Sequence, residues 1–305
     1  PSRRLRRAER VVEEEEEEGA SWACPWTTGG RWRGATTTTR TTAKSVGMAA
    51  ACCCAVTVVL VHTILNAWES AKESLQNLVS SYGSWISDLH DSAQELEGRF
   101  VDAAIRNVEK CRDNLSRIEE GVNMLVDSDE NSEIVKCFRW MNRAMIWQQQ
   151  RSKTPRREWI QSGTWRNSVY TLETLPDKAL DFISLSEFHE QPYSGKWRPF
   201  QIAFVLMNIK SIWEPQSEDR NIVDLIWFPT GGGKTEAYLG LAGFAIFARR
   251  IRGRDFVDIE NHGGTSILMR YTLRLLTTQQ YERASSLICA SELIRRDNPE
   301  LGIEP

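Results

Sequence analysis

The chain has 305 residues, of which 41% are hydrophobic and 26% charged, and its formal net charge is −3. Two domains of ordinary size fit in that length, and the apolar share supports a packed core. The charge balance excludes a uniformly basic nucleic-acid-coating protein, although a local basic groove would leave no mark on the total. Seven cysteines (Cys24, Cys52, Cys53, Cys54, Cys111, Cys137 and Cys289) occur without a C-x-x-C pair or a histidine cluster. Zinc is therefore not expected, and the odd number and irregular spacing suit reduced thiols in the cytoplasm. The sequence opens on Pro1 and closes on Pro305, and reads as a fragment.

Residues 1–45 carry the acidic run Glu13–Glu18 and the threonines Thr36–Thr39, Thr41 and Thr42 around Arg40. Such a segment buries too little apolar surface to offset its ordering entropy, so disorder is expected. An upstream translation with Met48 as the true start is an equal alternative. Val46–Leu65 has no Asp, Glu, Lys or Arg, and its roughly twenty residues are long enough for a bilayer. Ala49–Ala51, Cys52–Cys54, Thr57, His62 and Thr63 leave it only moderately apolar. The expectation is a helix or an Ala/Cys stretch without a membrane role. A membrane anchor, or a palmitoylated cysteine cluster, is the lesser alternative.

Residues 66–150 read as helical. Leu75, Leu78 and Val79, and then Ile105, Val108, Leu115, Ile118 and Val122, recur at helical spacing, and no proline comes before Pro155. Breaks are predicted at Gly83 and at Asp127–Glu130. This would be a helical accessory domain. Residues 151–196 form an irregular or β-containing connection, with Pro155, Pro176, Pro192, Trp159 and Trp165. From 197 to 305 the pattern is that of a partial ATP-binding lobe. It comprises a helix at Gln201–Ile212, a strand at Ile222–Phe228, a turn at Pro229–Gly233 and a helix at Lys234–Ile251. A polar loop, a second strand at Thr265–Met269 and a second helix at Thr277–Arg296 follow. The predicted fold class is α/β, a partial RecA-like P-loop parallel sheet preceded by an α-helical domain and a disordered N-terminus.

The chemistry concentrates in Pro229-Thr230-Gly231-Gly232-Gly233-Lys234-Thr235-Glu236. Successive glycines let backbone N–H groups turn inward without a Cβ in the way, and form an anion nest at a helix N-terminus. Lys234 can reach β- and γ-phosphates, and the Thr235 hydroxyl can ligate Mg²⁺. Thr230, Gly231, Gly232, Gly233, Lys234, Thr235 and Glu236 are thus the candidate contacts for ATP, with Lys234 and Thr235 the catalytic pair. The strict G-x-x-x-x-G-K-[ST] pattern is not met, because Phe228 stands where its first glycine would be. A Gly-rich surface loop that happens to end in Lys-Thr is the bland alternative.

Gln201, in Trp197-Arg198-Pro199-Phe200-Gln201, carries the donor and acceptor that match adenine N6 and N7, or else simply caps its helix. Arg270, Thr272, Arg274, Thr277 and Thr278 follow the second expected strand and could hold the phosphates of a nucleic-acid strand. An ordinary helix start capped by threonine fits the same residues. Arg249, Arg250, Arg252 and Arg254 read as a solvated helix end that complements the macrodipole.

Trp227–Gly240, followed by Leu268-Met269-Arg270-Tyr271-Thr272-Leu273-Arg274-Leu275-Leu276-Thr277, resembles the helicase subunit of the DISARM anti-phage system (the DrmA type), within superfamily 2. Phe138-Arg139-Trp140-Met141-Asn142-Arg143-Ala144-Met145 and Arg198–Gln201 fit the same family. The likeness covers about 137–305, and 80–136 more loosely. It implies a two-lobed motor that binds nucleic acid, DNA ahead of RNA, hydrolyses ATP with Mg²⁺ and works with other defence subunits. Gln201 would serve adenine, and Arg270–Gln279 would form the strand-contacting motif. Superfamily 2 members relax the first P-loop glycine but keep a T-G-x-G-K-T core, as here. No D-E-A-[DH]-like run follows Thr235. The carboxylates that would hold Mg²⁺ and orient water are missing, and poor or no turnover is expected. A P-loop ATPase of another family and a non-catalytic, membrane-anchored scaffold are the rival readings.

Overall fold

The computed structural model describes residues 59–98, 100–151, 157–164, 167–174, 195–226, 232–253, 265–270 and 274–302. The expectations for 1–45 and for 46–58 fall outside them. All described residues belong to one compact unit. It is mostly helical, with two small antiparallel strand pairs.

Strand β1 (Val59–Leu60) leads into α1 (Val61–Asn66), whose Val61, Ile64 and Leu65 are buried. The end of the apolar stretch is therefore core. Among the described residues no helix is long and apolar enough to cross a membrane. Helices α2 (Trp68–Gln94) and α3 (Phe100–Val126) follow and pack against each other. The buried residues of α2 are Trp68, Ala71, Leu75, Leu78, Tyr82, Ile86 and Ala93, a repeated spacing of three and four that keeps one apolar stripe inward. The predicted break at Gly83 does not occur. Gly83 lies within α2, facing α3, and a Cβ there would meet Leu115 Cδ2 at 3.5 Å. The break at Asp127–Glu130 is present, before α4 (Glu133–Arg151).

Beyond α4 come the hairpin β2 (Trp159–Ser162) and β3 (Val169–Leu172), then β4 (Lys196–Trp197), which pairs antiparallel with β1. Helix α5 (Pro199–Trp213) starts with proline at its first turn, where no N–H is required. Helices α6 (Lys234–Gly253) and α7 (Arg274–Asp297) complete the order. Burial almost all round marks α4 and α5 as the inner helices, since Phe200 through Met207 are all buried. Helix α5 lies between α3 and α6, while α4 contacts α1, α6 and α7. Edge-on aromatic pairs tie the layers: Trp68 to Phe138 at 6.3 Å, and Phe204 to Tyr238 at 5.8 Å.

The expected parallel sheet is not present among the described residues. Ile222–Ile226 and Thr265–Arg270 pair with no strand. Val223 and Leu225 are 94% and 85% exposed, and Leu268 is 82% exposed. An apolar run reads as a buried strand only if partner strands cover it, and here none does. The second late helix also begins earlier than predicted, at Arg274 rather than Thr277.

Helices α3 and α5 approach so closely that a Cβ on Gly121 would lie 2.0 Å from the Leu206 carbonyl oxygen. Gly121→Ala is expected to force the helices apart and cost about 1–3 kcal/mol in chemical denaturation. Gly83→Ala, which meets only ordinary contact, should instead gain about 0.5–1 kcal/mol from helix propensity. At the end of α7, hydrogen bonds from Arg295 and Arg296 hold the Glu292 carboxyl down to about 2. Its folded pKa lies below the unfolded value of about 4.3. The stability it adds is thus full above that value and lost as pH falls towards 2. Glu292→Gln should be less stable than the unaltered chain at neutral pH, and the gap should close on acid titration followed by circular dichroism.

Candidate functional site

The site is built outward from a buried polar side chain. Asn142 of α4 is fully buried and donates to its own helix at the Phe138 carbonyl, 2.8 Å away. Its Oδ1 accepts the indole N–H of Trp197 at 2.7 Å. Trp197 is thereby fixed in β4, one residue before the Arg198-Pro199 entry to α5. Gln201, 4% exposed, then uses its side-chain amide at both ends. The Oε1 accepts the Arg198 backbone N–H at 2.8 Å, closing the first turn of α5, and Nε2 donates to the Gly233 carbonyl at 2.8 Å. The Arg198 guanidinium donates to the Gly232 carbonyl at 2.6 Å. Two consecutive carbonyls at the mouth of α6 are therefore tethered to the start of α5.

Gly233 adopts φ +89°, and a Cβ there would sit 2.5 Å from Gln201 Nε2 and 3.3 Å from Glu236 Oε2. Only glycine meets both the left-handed backbone and the close approach. Lys234, Thr235 and Glu236 form the first turn of α6 and are half-buried. Glu236 is ion-paired with Arg283 of α7. Thr230 and Gly231 fall outside the described residues.

The segment leading to the turn is also held from the helical side. Arg117 of α3 grips Asp224 through two bonds, 2.6 and 3.0 Å long, and reaches Asp219 at 3.4 Å. Those carboxylates raise the Arg117 guanidinium above its ordinary value, against the effect of its partial burial. Lys210 of α5 pairs with Glu120 of α3 at 2.8 Å.

The strand-contacting candidates are less fully placed. Arg270 is exposed at the end of the second unpaired run, and Thr272 lies outside the described residues. Arg274, Thr277 and Thr278 fall in the first turns of α7, with Thr278 exposed. Of these candidates Arg270 lines an open groove of about 590 Å³, with Ile212, Tyr238, Leu241, Ile267 and Met269 among others. The arginines after α6 are docked rather than merely solvated. Arg249 bonds Thr265 and Ser266, Arg250 donates to the Leu301 carbonyl, and Arg252 stands 5.5 Å over the Trp213 ring. Arg254 lies outside the described residues. Among those residues no cluster of His, Cys, Asp or Glu is suited to hold a metal.

Asn142, Arg198 and Arg283 were not singled out from the sequence. Only the presence of Asn142 and Arg198 within the two family-like runs could have marked them.

No protein-family model matches the chain. It is 38% identical over 231 residues to the DISARM protein DrmA of Bacillus paralicheniformis (strain ATCC 9945a / NCIMB 11709 / CD-2), an alignment covering 75% of this chain and 18% of that protein. The matched stretch belongs to the DISARM proteins. Among them, it belongs to the DrmA type. The chain spans about a fifth of the length of the curated relative it matches.

Asn142→Leu would leave the Trp197 indole N–H buried without an acceptor. It is expected to cost about 1–3 kcal/mol, read as a lowered denaturation midpoint. An unchanged midpoint would show that this bond does not support the site.

Proposed function

We propose that these residues form the nucleotide-binding front part of a superfamily 2 ATPase motor that acts on DNA within the DISARM anti-phage system. The observation that carries this reading is the tethered glycine turn. Gly232 and Gly233 are held at the N-terminus of a 20-residue helix, immediately before Lys234 and Thr235. The residues fit the group. Gly233 takes the left-handed backbone, φ +89°, that turns a glycine loop into the helix, and the helix N-terminus supplies N–H groups and positive potential. Lys234 would hold the terminal phosphates of ATP, and Thr235 would hold Mg²⁺. Bound Mg²⁺ would neutralise charge on the phosphates. Gln201 positions the turn through one N–H and one lone pair, and adenine would use those that remain.

The finer fold follows the same reading. In Ile222–Ile226 the exposed Val223 and Leu225 alternate with the more buried Asp224 and Ile226, the period of a strand. Unpaired here, this run and Thr265–Met269 would become strands of a parallel RecA-type sheet in the whole motor. Such a sheet binds ligands at the carboxyl ends of its strands. The turn at Gly233 and the residues from Arg270 to Thr278 follow those ends, the first for nucleotide and the second for the DNA backbone. Other DISARM subunits are the expected protein partners. Hydrolysis is not assigned to these residues, because no D-E-A-[DH]-like run follows Thr235.

Binding of a fluorescent ATP analogue with Mg²⁺ tests the proposal. Lys234→Ala is expected to weaken it at least about tenfold, through loss of a charge-assisted contact worth about 1.5–3 kcal/mol. Equal binding by both proteins, or none by either, would refute the nucleotide reading.

A further inference from the structure

An acidic side chain lies beside the glycine turn proposed to hold phosphate. Glu236 stands in the first turn of α6, and its Oε2 is 3.3 Å from where a Cβ on Gly233 would be. A carboxylate there already satisfies the positive end of the helix, and it opposes the arrival of a phosphate at the same end. Its other oxygen, Oε1, accepts a hydrogen bond from Arg283 Nη2. The two side chains are 25% and 27% exposed, so water screens the pair only in part. Arg283 belongs to α7, whose first turns carry Arg274, Thr277 and Thr278.

Resting on the nucleotide reading above, we infer that Arg283 is a positioning residue of that site. It cancels the charge of Glu236 and draws the carboxylate towards α7, so that the glycine turn can accept a polyphosphate. Arg283 acts through Glu236 and need not touch the nucleotide. It is also a direct side-chain link between the helix proposed to meet DNA and the turn proposed to meet ATP. A shift of α7 on binding a strand would alter the charge facing the phosphates.

The test is a titration of the fluorescent ATP analogue with Mg²⁺ into the 305-residue chain at low and high salt. It compares the unaltered protein with Arg283→Gln, Arg283→Lys, the double variant Glu236→Gln/Arg283→Gln, and Lys234→Ala. One uncompensated charge near the phosphates should weaken binding by Arg283→Gln about tenfold at low salt, and less at high salt. Arg283→Lys, which keeps the charge, should stay close to the unaltered protein. The double variant should recover to within about twofold, although it too lacks the ion pair. That recovery separates charge from a general loss of packing, which both variants would share. The inference is overturned if Arg283→Gln binds normally, or if the double variant remains as weak as the single one. If Lys234→Ala abolishes binding while Arg283→Gln leaves it unchanged, this inference alone fails. If the unaltered chain does not bind, the nucleotide reading fails and this inference falls with it.

Discussion

Gln201 accepts a hydrogen bond from the first turn of its own helix and donates another to the Gly233 carbonyl. Because α5 is buried on nearly every side, the position of that amide is set by the core rather than by solvent-exposed loop residues. The glycine turn inherits this rigidity. Steric closeness at Gly121 keeps α5 against α3, and the Asn142–Trp197 bond keeps its entry against α4. Gly232 and Gly233 are thereby held from the start of α5, whose entry is in turn held by α4.

The polar links run in the same direction as the apolar ones. Arg117 and Glu120, on successive turns of α3, reach Asp224 and Lys210. Bidentate guanidinium–carboxylate pairing fixes orientation as well as distance, so Arg117 constrains the segment entering the turn about a fixed point. Helices on either side of the irregular connection thus share one core, and the early helices buttress the later ones.

The amphipathic helices were legible because their burial repeats every three or four residues. The stripes of α2 and α3 could be read directly. Gly83 misled because glycine marks a break only where the backbone must turn, whereas here it continues a helix with room for a Cβ. The apolar runs at Ile222 and Thr265 were readable as apolar but not as paired, since pairing depends on partners that spacing within the run does not reveal. Within the site, the glycines and Lys234-Thr235 announced themselves by type and order. Asn142 did not, because a polar residue in an apolar helix carries no sign of its acceptor role, and Trp197 is 55 residues away. The same holds for Arg283, whose partner lies 47 residues earlier.

The hairpin of β2 and β3 has a consequence of another kind. Trp159 stands opposite Leu172, and Ser162 opposite Val169, while Trp159, Ile160, Val169 and Tyr170 are each more than half exposed. Both faces carry apolar groups, and among the described residues no strand pairs with either outer edge. A two-stranded ribbon of this kind is marginal in water, and its edges invite pairing with another chain. With the exposed Val223 and Leu268, this ribbon offers the apolar surface at which self-association in concentrated solution would begin while the helical core stayed folded.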